Sequence, residues 1–591
     1  MNSEDSFIRR TYNSFLIPTV FALLGTTVSS FGNTILAGHF LGKEVLAVMN
    51  VLSSFTFLFA MFGCLISIGA STRASIAVGR VDHVTAGKYE WMALVLSIAV
   101  PVIISIPCII HFRHFFTLLG GADKDYVIGA SYGIPVLACG FLNTLMYFPF
   151  NFLRMIGKGK YGMYSFGAMG VIDIVLVYVF LKLNMGPAGV ALGNIISMVV
   201  ANGSGIYFLI TKNSLFKMQR PNKNDIGLML QSICMFGGAS ATNNLCKVLR
   251  TVLMNLIVVK HLGQEGLQSL AVGCSIINLA SASVTGFGQA VSPIIGVLFG
   301  ERDRKGQRQA VKISVLYSVV FHIALAVILI PLASKTAVLF GITEAQQIEN
   351  TALIIRLVAI SLIPAAVMNV LIYYFSAIGE YRCSLILTLT HSFILVVLFS
   401  ALHLAVSDSY MYAVAFITSE LFSFAVMAAV SAVRRRRDPH LKGILLEQSI
   451  YAERFFSTVS DGTEEGAVVT STQVVEFCEE NGVSPALCMK LPLVVEELLV
   501  LLARHCFTDK SSTIDVRISI VKEKVLMRLR CEGATFNPIE WYYDRKQSLS
   551  PEEFMEDESF GMKVVDKLVN DVKYTSVFNV NNLIVTMGEK G

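Results

Sequence analysis

The sequence predicts an α-helical polytopic membrane protein, with about twelve transmembrane helices in two six-helix bundles related by an internal repeat. A C-terminal cytoplasmic α/β sandwich domain follows them. Three observations carry this reading. Of the 591 residues, 54% are hydrophobic and 15% charged, where a soluble protein carries about 25% charged residues. Mean hydropathy is +0.63. From Phe15 to Ala432 one apolar stretch succeeds another, each of the length a bilayer requires, and after Arg434 the composition turns abruptly polar.

The same composition excludes a cytosolic enzyme along the whole length, a disordered chain and a nucleic-acid binder. The net charge of +5 is small for this length and argues for no anionic partner by itself. The eleven cysteines include no CxxC pair, so no zinc or dithiol site is expected. Those in apolar runs act as small hydrophobes.

Taken in order, the spans start near Phe15, Val45, Trp91, Val127, Gly162, Ala188, Ile226, Leu267, Val311, Leu353, Ser384 and Tyr410. No small-residue cleavage site follows the first apolar run, so no removable signal is expected. The spans near Val45, Ile226 and Leu267 carry Ser, Asn, Gly and Thr, which requires neighbouring helices or a wet cavity. Roughly 22 Lys and Arg fall on one set of loops and flanks, among them Arg80, Arg154, Arg304 and Arg434 to Arg437, against about 6 on the alternating set. The rich side is predicted to be cytoplasmic, with both termini inside. The division is then an N-terminal lobe over 1–224, a C-terminal lobe over 225–434, a basic linker over 435–452 and a soluble domain over 453–591. The Arg run reads as a stop-transfer flank, with an anionic-lipid patch as the alternative.

Two segments echo each other. HFLGKEVLAV from His39 ends in RASIAVGR at Arg80, and HLGQEGLQSLAV from His261 ends in SPIIGVLFGER at Arg302. Leu41-Gly42 thus matches Leu262-Gly263, and Gly79 matches Gly300. A weaker echo joins Ile156-Gly157 to Ile378-Gly379. Two repeated halves with a path between them are a carrier architecture.

A charge at bilayer depth is costly, so each one invites a functional reading. Asp173, in DIVLVYVF, is a candidate for a protonatable coupling site or a structural partner for a basic group. Glu420, near the middle of the last helix, is a second coupling candidate. His322 and His391 read as proton shuttles or as hydrogen-bonded packing residues. Lys247 and Arg250 share a helix face below Asn243 and Asn244. Either they draw an anionic or zwitterionic substrate into the C-terminal lobe, or they pair with Asp173 or Glu420 or sit near the outer mouth in water. Gln289 and the two asparagines are neutral candidates to line the cavity.

Ile35-Leu36-Ala37-Gly38 with Leu41-Gly42, MGPAGVALGNIIS from Met185, GFGQAVSPIIG from Gly286 and LRMIGKGKYGMY from Leu153 together resemble the multidrug and toxic compound extrusion (MATE) family over roughly Phe15 to Arg434. The resemblance implies a secondary antiporter, not an enzyme, in the plasma membrane. It would export small organic compounds in exchange for H+ or Na+ and need no cofactor. It also places Asn33 where the family carries a cation-site Asp, and Asp173 and Val177 where the fifth helix carries an Asn and then an Asp. One carboxylate has moved between helices on this reading. An Asn carbonyl can ligate a cation but cannot exchange a proton.

In the soluble domain, Val474 to Phe477, Leu491 to Ala503 and Gly561 to Val569 read as helices. Ile514 to Ile520 and Val525 to Leu529 read as paired strands turning at Lys522 to Lys524, and Leu583 to Met587 as a last strand. VVEELLVLLARHCF from Val494, RCEGATFNP from Arg530 and SFGMKVVDKLVND from Ser559 resemble anti-sigma-factor and histidine-kinase-like (GHKL) ATPases. Glu497, His505, Gly533 and Gly561 then fit the nucleotide motifs. Leu501 replaces the magnesium-binding Asn and Cys531 the adenine-binding Asp, so ATP binding and kinase activity are not expected. A regulatory domain that binds a cytoplasmic protein is. No P-loop is present. The competing readings are a membrane-tethered signalling protein, an anti-sigma-type serine kinase and a lipid-precursor flippase, the last favoured by a large basic cavity.

Overall fold

The computed structural model describes residues 3–119, 123–213, 215–301, 303–340, 342–448, 454–507, 513–521, 524–549, 553, 557, 559–577 and 580–588. The chain divides into two compact units, Arg9–Glu447 and Gln448–Gly591, the latter joined by the segment before Arg9.

The larger unit is helical. Besides a short helix at Phe112–Leu118, its helices are α1 (Ser3–Gly79), α2 (His83–Ile110), α3 (Tyr126–Ala138), α4 (Gly140–Leu145), α5 (Tyr147–Met155), α6 (Gly159–Lys182) and α7 (Gly186–Lys212) in the first half. The second half holds α8 (Lys223–Gly300), α9 (Arg304–Leu339), α10 (Ala345–Ala377), α11 (Tyr381–Leu389), α12 (Leu395–Val406) and α13 (Val414–Arg437). A π-helical turn, Thr390–Ile394, joins α11 to α12. Among the described residues, ten helices are long and apolar enough to cross a membrane, or eleven if the pair bent by 50° at Ala138 is one span. The count reaches twelve when the bent pair is one span and Lys223–Gly300 is divided into two.

At about 1.5 Å per residue, 78 residues would extend far beyond a hydrocarbon core of about 30 Å. The helix is interrupted at Gly263, with φ 65° and ψ −159°. Helix α1 is interrupted in the same way at Gly42, with φ 83° and ψ 173°. These two glycines are the ones the repeat aligns, and both need a left-handed φ that other residues rarely adopt. The echo extends further. Asp82 caps α2 by accepting from Thr85 N at 3.0 Å, and Asp303 caps α9 by accepting from Gly306 N at 3.0 Å. Gly157 and Gly379 also share a positive φ.

The halves meet along the second limbs of α1 and α8. A Cβ on Gly79 would lie 2.2 Å from the Val297 carbonyl oxygen, and one on Gly300 2.3 Å from that of Ile76. The two glycine backbones therefore touch each other, beside Arg80 and Arg304 at the end that carries the basic loops.

The smaller unit is built on a five-stranded antiparallel sheet. Its strands are β1 (Arg454–Ser460), β2 (Ile514–Val521), β3 (Lys524–Glu532), β4 (Asp571–Val577) and β5 (Val580–Gly588), in the order β1-β2-β3-β5-β4. Among the described residues four helices accompany it, α14 (Glu464–Glu480), α15 (Pro485–Cys506), α16 (Pro538–Ser548) and α17 (Phe560–Leu568). Alternation fixes its faces. Ile514, Val516, Ile518, Met527, Leu529 and Val585 share one core with Val474 of α14, Leu498 of α15 and Val565 of α17. Residues of opposite parity, Asp515, Arg517, Arg528 and Arg530, lie on the other face. Of the predicted turn, residues 522 and 523 lie outside the described residues.

Candidate functional site

In the first half, Asp173 of α6 is 2% exposed. Its Oδ2 accepts from the Ser29 hydroxyl and, at 2.7 Å, from Asn33 Nδ2, both on the first limb of α1. Asn33 Nδ2 also donates to Asn194 Oδ1 of α7 at 3.4 Å. The Ser197 hydroxyl of α7 lies nearby, but among the described residues the other oxygens, Asp173 Oδ1 and Asn33 Oδ1, are buried and have no hydrogen-bond partner within bonding distance. A buried carboxylate oxygen and a buried amide oxygen without donors are costly unless something positive reaches them. The set is all oxygen, which suits a proton or a hard monovalent ion. Val177, one turn on, packs among Ala37, Leu181 and Val190 and adds no oxygen.

In the second half, His391 sits in the π-helical turn, a feature that often marks function. Its Nδ1 lies 2.6 Å from Glu420 Oε2 of α13. Its Nε2 faces Asn369 Nδ2 of α10 at 3.3 Å, so Nε2 accepts and Nδ1 donates. Ser392 donates to Asn243 Oδ1 at 2.8 Å. His322 is a packed residue, with Nδ1 2.7 Å from the Ser318 carbonyl and Nε2 3.2 Å from Ser283.

Both buried acids are therefore engaged within their own halves. The expectation that Lys247 and Arg250 pair with Asp173 or Glu420 does not hold: among the described residues neither cation makes an ion pair. They are half-buried on the first limb of α8. Asn244 and Lys247 lie beside the Cys64 thiol of α1, and Arg250 beside Cys246 and Cys274.

Arg154, assigned above to a loop, is in fact 3% exposed at the end of α5. It donates to Asn151 Oδ1 at 2.5 Å and Gln289 Oε1 at 3.3 Å, and its guanidinium lies 5.2 Å from the Phe150 ring centre. Gln289 Nε2 donates to Tyr373 OH at 3.2 Å, and Tyr373 packs with Cys64 and Tyr147. An Arg that ends an apolar run reads as a flank, and only the tertiary contact with Gln289 shows otherwise. At the basic end, a cavity of about 510 Å³ is lined by Arg73, Tyr89, Ser232 and Met235, with the Lys88–Asp225 bridge of 2.9 Å beside them.

In the smaller unit the nucleotide-like residues are packed away. Leu501 is in the core, and Cys531 lies beside the Cys506 thiol, which with burial pushes the Cys531 pKa up. His505 stacks on Phe536 at 4.2 Å and leans on Trp541 at 5.0 Å. The Gly533 to Phe536 loop is stitched down. Ala534 N donates to the Cys506 carbonyl at 2.8 Å, and Asn581 takes Phe536 N at 3.2 Å and donates to the Ala534 carbonyl at 2.8 Å. A Cβ on Gly561 would lie 2.1 Å from Glu497 Oε2, so that carboxylate occupies the N-terminus of α17. Burial first and the Glu496 charge second hold the Glu497 pKa above its usual range. On the far face of the sheet Arg517 opposes Arg528, with Asp515 3.0 Å from Arg517 and 3.2 Å from Arg530. Burial and the neighbouring guanidinium groups lower the Arg517 pKa, although an Arg stays charged.

The MatE family model matches residues 18–179 and 239–402, more than half of the chain, one segment on each half of the helical unit. The chain belongs to the MatE family. MatE proteins are secondary transporters, not enzymes. A MATE transporter solved with MaL6 is 19% identical, with a TM-score of 0.67, covering 74% of this chain and 100% of its own. An outward-facing multidrug resistance MATE transporter of the MOP superfamily gives 0.66 at 19% identity, over 74% and 99%. A MOP-superfamily transporter from Pyrococcus furiosus, described as having a binding pocket of reverse polarity, gives 0.66 at 19%, over 73% and 99%. No curated protein matches the chain. At these identities the structures show a shared fold. The MatE match lies wholly within Arg9–Glu447, so the smaller unit has no counterpart in it.

Proposed function

We propose that this MatE protein is a plasma-membrane antiporter, exporting small organic compounds in exchange for H+ or Na+ through alternating access. Its twelve spans count Lys223–Gly300 as two, divided at Gly263, and both termini are cytoplasmic. The observation that carries the coupling assignment is the pair of buried oxygens, Asp173 Oδ1 and Asn33 Oδ1, without a donor. The carboxylate sits on α6 rather than α1, but Asn33 reaches it at 2.7 Å, so moving the charge between helices preserves one shared site. Ser29 and Asn194 complete it. Glu420, held by His391, is the second proton-exchanging group, in the opposite lobe.

The domain from residue 453 onward is a degenerate GHKL-like α/β sandwich that regulates the carrier by binding a cytoplasmic protein. Supporting this, its adenine loop is bonded shut and its phosphate-site helix is occupied by Glu497.

The test uses everted vesicles with imposed proton or sodium gradients and a fluorescent substrate dye. Asp173→Asn is expected to abolish gradient-driven uptake with expression unchanged, and the ion whose gradient drives the wild type is the coupling ion. Full gradient-driven uptake in Asp173→Asn would remove this site from the mechanism.

A further inference from the structure

Arg154 of α5 and Lys247 and Arg250 of α8 are buried or half-buried, and among the described residues none of the three makes an ion pair with an acid. Ser240, Asn243, Asn244, Lys247 and Arg250 recur at helical spacing along one face of α8's first limb. Lys247 lies near the Cys64 thiol of α1, on the opposite half, and Tyr147 and Tyr373 pack against the same cysteine. Gln289 then links Tyr373 to Arg154. Lys247 and Arg154 thus lie towards the two ends of one polar chain, with Arg250 one turn beyond Lys247 on the same helix face. The buried acids within the spans are engaged elsewhere: Asp173 with Ser29 and Asn33, Glu420 with His391, and Glu90 beside Asn213. Lys247 and Arg250 also repel each other at i, i+3. In a low-dielectric setting an unbalanced pair of this kind calls for a counter-charge, and the guanidinium fork fits a planar carboxylate or a phosphate.

From this geometry we infer that the transported compounds are organic anions, with a carboxylate or phosphate held between Lys247 and Arg250 and an apolar body against Tyr147 and Tyr373. The inference rests on the exporter reading above and gives its substrate class. A cation in the same place would meet two like charges and no acceptor carboxylate.

Binding to the full-length protein in phosphatidylcholine nanodiscs, read by fluorescence anisotropy without any gradient, separates this inference from the coupling assignment. Gly203→Ala, where an added methyl meets nothing within 4 Å, is expected to leave this readout unchanged. Wild-type protein is expected to bind 5-carboxyfluorescein and to bind ethidium at least tenfold more weakly. Lys247→Gln with Arg250→Gln should weaken the carboxyfluorescein affinity about tenfold or more. Lys247→Arg, which keeps the charge, should retain affinity within about threefold and so reports correct folding. Lys247→Glu with Arg250→Glu should transfer binding to ethidium. Nanodiscs doped with phosphatidic acid distinguish the source of the anion, since loss of dye binding there points to a lipid phosphate and retained binding to a soluble anion. A preference of the wild type for ethidium, or unchanged carboxyfluorescein affinity in the double Gln variant, would overturn the inference.

Discussion

Replacing Gly300 by alanine offers the most direct probe of how the two halves close. The added methyl would sit 2.3 Å from the Ile76 carbonyl oxygen and 2.9 Å from the Gly79 Cα, both backbone atoms that cannot rotate away. Ordinary contact needs about 3.4 Å or more, so the helices must part by about 1 Å at that level. Overpacking of this kind costs about 1–3 kcal/mol. A state in which the halves separate here does not feel the methyl, so the equilibrium tilts toward it by roughly 5- to 150-fold. Hydrogen exchange on the full-length protein reads the change. Backbone amides over residues 76–82 and 297–301 should exchange faster, and gradient-driven transport should slow. Gly203→Ala, where a methyl meets nothing within 4 Å, is the control and should match wild type. Wild-type exchange and transport in Gly300→Ala would refute the claim that this contact closes the carrier.

Other predictions follow from the same geometry. His391→Ala leaves the Glu420 carboxylate buried without its partner and should cost about 3–5 kcal/mol, whereas Glu420→Gln keeps a neutral acceptor for Nδ1–H and should cost distinctly less; thermal unfolding in one fixed detergent ranks them. The raised Glu497 pKa means the folded domain prefers the protonated carboxyl. That stabilisation is present below the ordinary value of 4.5 and is lost as pH rises through the folded pKa, so Glu497→Gln should flatten the pH dependence of the domain's unfolding transition above 4.5. Calorimetric titration of the full-length chain with magnesium and ATP should show no binding, and a saturable heat would contradict the filled pocket. Deleting everything from Gln448 onward should leave a folded carrier with an altered transport rate; a carrier that fails to fold would contradict the domain boundary.

Much of the architecture was legible in the sequence because bilayer burial imposes long apolar runs, and because the repeat left its glycines in register. Leu41-Gly42 and Leu262-Gly263 matched as letters before they matched as two left-handed breaks. The soluble elements at Leu491 to Ala503, Ile514 to Ile520 and Val525 to Leu529 had clear periodicity and were readable, with ends a few residues out. Strands β1 and β4 and helix α16 were not. β1 and β4 are the sheet's edge strands, where one side goes unpaired and alternation blurs. At the candidate site, the family alignment singled out Asn33 and Asp173 one by one, and their meeting is visible only in the fold. The pairing of His391 with Glu420 did not, since the two lie 29 residues apart with no local pattern to join them. Arg154 was misread for the opposite reason: its local pattern was strong, and a contact 135 residues away overrode it.

The mutual approach of Gly79 and Gly300 carries a consequence of its own. Each glycine packs on the turn preceding the other, so the contact maps onto itself when the two halves are exchanged. This is the geometry of an isologous homodimer interface, folded into a single polypeptide. Residues along such a contact cannot drift independently, because a bulkier side chain on one half is met by the backbone of its own counterpart. A substitution tolerated at one of the two positions should therefore be sought with a compensating change at its mirror position, and the carrier inherits from its duplication a symmetry constraint that neither half would bear alone.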